Sequence, residues 1–164
     1  YRVINYYIYI IMKCIAVFQN ELNGYVTFSQ DTPSSTVRIN GYIENLEPGK
    51  HGFHVHAFGN LKSTDCMKCG GHWNPTKKLH GGRNDIESHA GDLGNINANQ
   101  KGISKFRFET SKLQLFGDVT ESIVGRSIVI HKDEDDNGKG GHDDSLITGH
   151  AGARLDCAVI GWTK

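Results

Sequence analysis

The stretch GFHVHAFG, residues 52–59, places two histidines one residue apart in an otherwise apolar segment. Successive side chains of a β-strand point to opposite faces, so His54 and His56 share one face and the apolar residues around them share the other. The apolar face predicts packing on a core. Taken alone, the histidine pair fits solvated surface residues better than a metal site, and only further histidines at ligand spacing would reverse that interpretation.

The same two-residue alternation recurs along the chain in short runs separated by turn residues. Twenty glycines against three prolines suit a protein with many turns, and helical spacing is hard to find. The pattern therefore predicts an all-β protein, an antiparallel sandwich or barrel. Its eight candidate strands cover residues 13–19, 25–30, 36–46, 52–58, 91–99, 103–110, 126–132 and 154–162.

Length and composition predict one globular domain. The chain has 164 residues, of which 37% are hydrophobic and 22% charged. A chain of this size buries a core without needing a metal or a disulfide in order to fold. The 18 Lys and Arg balance the 18 Asp and Glu, so the overall charge indicates no nucleic-acid partner.

The N-terminal segment stands apart from this pattern. Residues 1–11 are apolar, carry one early cation at Arg2 and lack a small-residue cleavage site, so they make a poor export signal and are far too short to span a membrane. We expect the protein to start at Met12, with residues 1–11 as an extension and residues 12–164 as the domain. The sequence contains no Asn-x-Ser/Thr sequon, which favours a cytoplasmic protein. A secreted protein with a degenerate export signal is the alternative.

Two long segments, residues 59–90 and 133–151, do not alternate. They are rich in Gly, His, Asn, Asp and Lys, and they are too long for ordinary connections between strands. Disordered linkers seldom concentrate histidine and cysteine, so we expect both segments to be functional loops.

Candidate metal ligands cluster in and beside the first loop. His80, His89 and Asp92 lie close together in LHGGRNDIESHAGD, and imidazoles with one carboxylate suit a tetrahedral zinc ion. His72, in GGHWNP, is the nearest candidate for a fourth ligand. This group predicts a closed structural zinc site.

A second group of candidates consists of imidazoles alone. His54 and His56 offer two nitrogens, and His131 ends an apolar strand as a further inward-pointing candidate. An all-imidazole site suits copper, whose affinity for nitrogen ligands is the highest among the divalent metals of its series. With both groups present, metal binding becomes the better interpretation of the H-x-H pair.

Five motifs together closely resemble those of the Cu/Zn superoxide dismutases, in the same order and with nearly the same spacing. They are GFHVHAFG, GGHWNP, HGGRNDIESHAGDLGN, GRSIVIHKDEDDNGKGG and TGHAGARLDCAVIGW, and the resemblance extends over about residues 13–162. It implies an eight-stranded antiparallel Greek-key β-barrel, an immunoglobulin-like sandwich, with two long functional loops. It also implies antioxidant defence by disproportionation of superoxide to dioxygen and hydrogen peroxide.

The resemblance implies a ligand set for each metal. A redox-cycling copper would take His54, His56, His72 and His131, and a structural zinc would take His72, His80, His89 and Asp92. His72 would bridge the two ions through a deprotonated imidazole. The implied partners are a copper chaperone, for loading, and a second copy of the chain, through positions that include Gly59, Ile160 and Gly161.

Two charged residues gain a role only through the resemblance. Arg154 matches the guanidinium that attracts the anion beside copper, a charge that does not titrate near neutral pH. Asp135 matches the carboxylate that links a copper-ligand histidine to a zinc-ligand histidine. In an unknown protein both would be read as surface charges.

The cysteines divide into a pair and two single residues. Cys66 and Cys157 match the family's disulfide, which would tie the first loop to the last strand although cytoplasmic disulfides are unusual. Cys14 and Cys69 are then expected to be free thiols. Cys66-x-x-Cys69 has the spacing of a redox or zinc pair, but without a second pair or a helix start that interpretation is not favoured.

Several positions depart from the family or match none of its ligands. Many members carry lysines where this chain has Asp133 and Ile147, so we expect slower capture of superoxide and a flatter dependence on ionic strength. Ala57 and Trp73 also depart, where the family commonly has glutamate and phenylalanine, but neither is a ligand position. The remaining histidines are expected on the surface or in loops; they are His51, His142 and His150.

Two other functional classes share this scaffold. A copper-delivery or metal-storage relative typically lacks some ligands or the arginine, whereas this chain keeps the full set with Arg154. A zinc-only structural protein would lack His131 or the H-x-H pair, and both are present. The enzyme is therefore the favoured interpretation.

Overall fold

Nine antiparallel strands form the framework of the computed structural model, which describes residues 11–164. The predicted extension at 1–11 lies outside the described residues except for Ile11. The strands are β1 (Met12–Gln19), β2 (Asn23–Gln30), β3 (Val37–Glu44), β4 (Gly49–His56), β5 (Asp92–Ala98), β6 (Ser104–Thr110), β7 (Ser127–His131), β8 (Arg154–Val159) and β9 (Gly161–Trp162). A 3₁₀ turn covers Met67–Cys69, and the helix α1 covers Ser145–Thr148. The all-β prediction is confirmed.

The strands form two sheets whose edges meet. One sheet has the order β6-β3-β2-β1-β9 and the other β5-β4-β7-β8. β5 lies against β6 at one side and β1 against β8 at the other, which closes the sheets into a barrel. Strand β7 returns to lie beside β4, so the spatial order β7-β4-β5-β6 is that of a Greek key.

The structure divides the predicted eighth strand in two. At Ile160 the backbone N–H donates to Arg126 O at 2.9 Å and the carbonyl accepts from Gly125 N at 2.8 Å. These bonds join Ile160 to the connection before β7, at the break between β8 and β9. The chain therefore leaves β8 and pairs with β1 as a separate short strand, β9.

Alternation places the core between the sheets. Along β1, Cys14, Ala16 and Phe18 are buried while the residues between them face outward. β7 differs because all five of its residues are buried, including His131. The two long loops cover the outer face of this sheet, and they create a second buried layer outside the barrel. No helix within residues 11–164 combines the length and apolar character needed to cross a membrane.

Candidate metal centre

The first group of histidines lies on the outer face of the second sheet. His54 and His56 point the same way from β4, and His131 lies at the end of the neighbouring strand β7. His72 reaches them from the first loop through an isolated bridge with His56. The loop is fixed there because Trp73 N–H donates to Val55 O at 2.8 Å.

In three of these rings, one nitrogen contacts a backbone or carboxylate oxygen, and the second nitrogen remains available to bind a metal. His56 donates from Nδ1 to Gly70 O at 2.9 Å, and His131 Nδ1 lies 3.3 Å from Gly152 O. His54 donates from Nε2 to a carboxylate oxygen of Asp135 at 2.7 Å. The remaining nitrogens are His54 Nδ1, His56 Nε2 and His131 Nε2, of which the last two are 3.4 Å apart. One ligand atom from each of His54, His56, His72 and His131 lies within 4.8 Å of the others. Such outer contacts orient metal-ligating imidazoles.

A second group of ligand atoms converges on Asp92. Its Oδ1 lies 2.8 Å from Nδ1 of His72, 3.0 Å from Nδ1 of His80 and 3.1 Å from Nδ1 of His89. The Nδ1 atoms of His72 and His89 are 3.3 Å apart. Four ligands about 2.0 Å from a tetrahedral ion are about 3.3 Å from one another, so this cluster has the size of a zinc site.

Unsatisfied buried nitrogens support the fit to metal ions. Among the described residues, His54 Nδ1, His72 Nε2 and His80 Nδ1 are buried side-chain nitrogens without a hydrogen-bond partner. Buried polar atoms are nearly always paired, so three unpaired imidazole nitrogens within these two groups call for a missing partner. His72 belongs to both groups, with Nδ1 toward Asp92 and Nε2 toward the first group.

Burial and neighbouring charges set the protonation of these rings. Burial, together with repulsion from His54 and His80, lowers the pKa of His72 to about 3. Burial likewise holds the pKa values of His56 and His131 well below the ordinary value. These three rings are neutral near pH 7, which is the state in which imidazole binds a metal.

His80 is the exception to this trend. Burial lowers its pKa, but the hydrogen bond to Asp135 and the Asp92 carboxylate 3.0 Å from Nδ1 outweigh burial and raise it to about 9. A metal at Nδ1 would replace the proton that these carboxylates otherwise favour.

Asp135 connects the two groups from the second loop. One carboxylate oxygen accepts from His54 at 2.7 Å and the other accepts from His80 at 2.8 Å. Its backbone is locked to Asn95, which accepts from Asp135 N at 2.8 Å and donates to Asp135 O at 2.8 Å. Gly149 permits the approach of the loop, since a Cβ there would lie 2.1 Å from Asp135 Oδ1.

A pocket of about 570 Å³ opens above the first group. Its lining includes the ligand histidines His56 and His131, and it also includes Asp144, Ile147 and Arg154. Arg154 is half-buried and donates from Nη1 to Cys66 O at 2.8 Å. A small anion entering this pocket meets the guanidinium beside two imidazoles.

A disulfide fixes the first loop beside Arg154. Cys66 and Cys157 are bonded, with Cα atoms 6.0 Å apart and a sequence separation of 91. Cys14 and Cys69 are free and buried. The bond joins the loop that carries His72 to β8, which starts at Arg154.

One prediction about histidines was wrong. His51 is not a surface or loop residue: it is buried in β4, where Nδ1 lies 2.9 Å from His131 O and Nε2 lies 2.8 Å from Glu47 O. It fixes the backbone of His131 from the core side. His142 and His150 are exposed in the second loop, as expected.

Sequence reasoning also missed a lysine that holds the first loop. Lys112 donates to Asp85 O at 2.8 Å, to Gly82 O at 3.3 Å and to Ser88 Oγ. Its position after β6 gives no sequence signal, because the contact depends on how the loop folds back. The lysine braces the segment between His80 and His89.

A β-barrel with two adjoining metal-ligand groups that share one histidine defines a binuclear metalloprotein. The copper/zinc superoxide dismutase family profile matches residues 22–160. A superoxide dismutase [Cu-Zn] of Yarrowia lipolytica is 48% identical over 155 residues, covering 93% of this chain and 99% of that protein. Superoxide dismutase [Cu-Zn] 5 of Dictyostelium discoideum is 46% identical over 154 residues, with the same coverage of 93% and 99%.

The chain therefore belongs to the copper/zinc superoxide dismutase family. It is an oxidoreductase that converts superoxide to dioxygen and hydrogen peroxide. Its cofactors are copper and zinc, for which the two ligand groups provide the donors.

Proposed function

We propose that the two ligand groups hold different metals and that His72 joins them. Copper binds His54, His56, His72 and His131, and zinc binds His72, His80, His89 and Asp92. The observation that carries this assignment is His72, whose Nδ1 faces Asp92 at 2.8 Å while its buried Nε2 has no partner and faces the other group. A carboxylate with three imidazoles suits zinc, and four imidazoles suit copper.

In this proposal, the protein orients superoxide and supplies a proton near the metals. A copper ion held by His54, His56, His72 and His131 would supply the one-electron redox chemistry that the reaction needs. Arg154 attracts the anion by its charge and presents guanidinium N–H groups toward the pocket. His72 Nε2 is the proposed proton-holding atom, because Asp92 fixes the ring from its other nitrogen.

Separate loss of each metal would test the assignment. His131→Ala removes a ligand found only in the first group, and His80→Ala removes one found only in the second. We expect His131→Ala to weaken copper binding and keep zinc, and His80→Ala to do the opposite, as measured by chelator competition. The exposed His142→Ala is the matched control. Loss of the same metal in both ligand variants would contradict the assignment.

We also propose a homodimer that uses strands β1, β8 and β9. Val17, Val159 and Trp162 are exposed apolar residues on these strands, and Val159 lies near Gly59. Ile160 is fully buried in the chain's own core, so its side chain adds nothing to that surface. Trp162→Asp should convert a dimer to monomers in sedimentation velocity, whereas Tyr25→Asp on β2 should not. A wild-type monomer would contradict the proposal.

The proposed compartment is the cytoplasm, with a copper chaperone as the loading partner and residues 12–164 as the working domain. The absence of a sequon and the poor export character of residues 1–11 support this location.

Cell fractionation of chains with and without residues 1–11 would test the proposed location. Secretion that depends on those residues would favour the export alternative. A copper content that does not change when chaperones are depleted would contradict the loading partner.

A further inference from the structure

Cys69 is a buried free thiol that packs beside the disulfide. It is fully buried and lies in one small cluster with Cys66, Cys157 and Val129. The superoxide chemistry does not use it. The cluster therefore places a potential nucleophile in the same buried space as the bond that anchors the first loop.

The backbone holds Cys69 one turn from Cys66. Cys69 N–H donates to Cys66 O at 3.1 Å, and Cys69 O accepts from Phe58 N at 2.9 Å. A turn closed by such an i to i+3 bond keeps its end Cα atoms within about 7 Å. Disulfides span Cα separations of about 4.4 to 6.8 Å, so a turn of this size is compatible with a bond between Cys66 and Cys69.

We propose that Cys66, Cys69 and Cys157 form an intramolecular thiol–disulfide exchange site. The Cys69 thiolate attacks Sγ of Cys66, a Cys66–Cys69 bond forms, and the Cys66–Cys157 bond breaks. The electron pair of the broken bond stays on Cys157, which takes up the proton that Cys69 lost. One disulfide and one thiol are present before and after the exchange, so no external oxidant or reductant is needed.

The exchange changes what the disulfide joins. The Cys66–Cys157 bond closes a span of 91 residues and ties the first loop to β8, whereas a Cys66–Cys69 bond would close only one turn. The loop would then be held to β8 through the hydrogen bond from Arg154 Nη1 to Cys66 O, 2.8 Å long. In the exchanged form, no covalent bond holds the first loop beside Arg154. Any effect of the exchange on activity rests on the proposed role of Arg154.

Disulfide mapping would test the exchange without measuring activity. The metal-loaded protein is incubated at pH 8 with and without a chelator, quenched in acid, alkylated, digested and mapped by mass spectrometry. We expect alkylation of Cys157 to exceed that in Cys69→Ser at least about threefold, together with a Cys66–Cys69 peptide. The rise should be faster with the chelator, because His72 belongs to the same loop and a metal there restrains it.

The matched control changes the other free thiol. Cys14→Ala removes a buried cysteine of β1 that lies outside the cluster, and it should leave the exchange unchanged. Two results would overturn the proposal: retention of the Cys66–Cys157 bond in all wild-type molecules under both conditions, or equal Cys157 alkylation in wild type and Cys69→Ser. Because the readout is a bond map, its failure would leave the metal assignment unaffected.

Discussion

Asp135 accepts a hydrogen bond from Nε2 of His54 at 2.7 Å, and both side chains are fully buried. The other oxygen of the same carboxylate binds His80 at 2.8 Å, so one residue orients a ring in each ligand group. Burial acts to raise the pKa of Asp135, but the hydrogen bonds from the two histidines lower it further than burial raises it. The carboxylate is therefore ionised and acts as a fixed acceptor between the groups.

Asp135→Asn should weaken metal binding by about 10- to 100-fold, the usual cost of losing a partner that orients a metal ligand. The amide cannot accept from both histidines with both of its polar atoms, so at least one ring loses its orientation. Chelator competition for zinc and copper measures the effect. The neighbouring Glu134→Gln, which removes an exposed pair with Lys50, is the control. Unchanged affinity for both metals in Asp135→Asn would show that the bridge does not orient the ligands.

Arg154→Gln should slow superoxide decay by about 10- to 100-fold. A hydrogen bond to a charged group contributes about 1.5–3 kcal/mol, and each 1.36 kcal/mol changes a rate about tenfold. Burial lowers the pKa of Arg154 from its ordinary value, yet a guanidinium stays charged at neutral pH. Arg154→Lys should recover part of the rate.

The control for Arg154 is Arg107→Gln, on the exposed side of β6. Metal content is measured in each variant, because Arg154 also binds the loop through Cys66 O. A rate that falls in proportion to metal content, or an equal rate loss in Arg107→Gln, would contradict a role for Arg154 in attracting the anion.

Ile147→Lys should raise the rate of superoxide capture at low salt by a few fold and make the rate fall more steeply with salt. Ile147 is exposed at the pocket wall, where the added charge would act on the incoming anion. At high ionic strength the gain should disappear, because the Debye length shortens to about 3 Å at 1 M salt. Val119→Lys adds the same charge at an exposed position away from the pocket lining. An equal gain in both variants would mean that only net charge matters.

The alternation of β4 predicted the position of the site, and the same rule could have found His51. It shares the odd-numbered face with Phe53 and Val55, which are fully buried. A histidine on the same strand face as these two core residues is expected to be buried rather than on the surface. Strand periodicity thus specifies which face a residue occupies, even where composition suggests solvent.

Other features of the site depend on contacts distant in sequence. The paired bonds between Asn95 and Asp135 and the three bonds of Lys112 join segments that only the folded barrel brings together. The break at Ile160 depends in the same way on the backbone of Gly125 and Arg126. Motif spacing can identify metal ligands because the ligands repeat a known sequence pattern. It carries no information on the hydrogen bonds that hold the surrounding loops in place.

The Cys14 thiol should resist modification in the folded protein up to about pH 11. Burial raises its pKa from 9.0 to about 11, and the thiolate is the reactive form. Because the folded pKa is raised, its contribution to stability is complete below pH 9 and is lost as the pH rises through 11. The free energy of unfolding should therefore fall more steeply between these pH values in wild type than in Cys14→Ala. Equal slopes, or rapid labelling of native Cys14 at pH 8, would contradict a buried neutral thiol.

The most direct test of the account is superoxide decay after pulse radiolysis, measured on protein loaded with copper and zinc. We predict fast catalytic decay that His142→Ala retains and His131→Ala loses, because His131 supplies a nitrogen to the all-imidazole group while His142 is exposed in the second loop. Decay no faster in the loaded wild type than in His131→Ala would contradict the account, and it would mean that the paired metal site binds its ions without turning over superoxide.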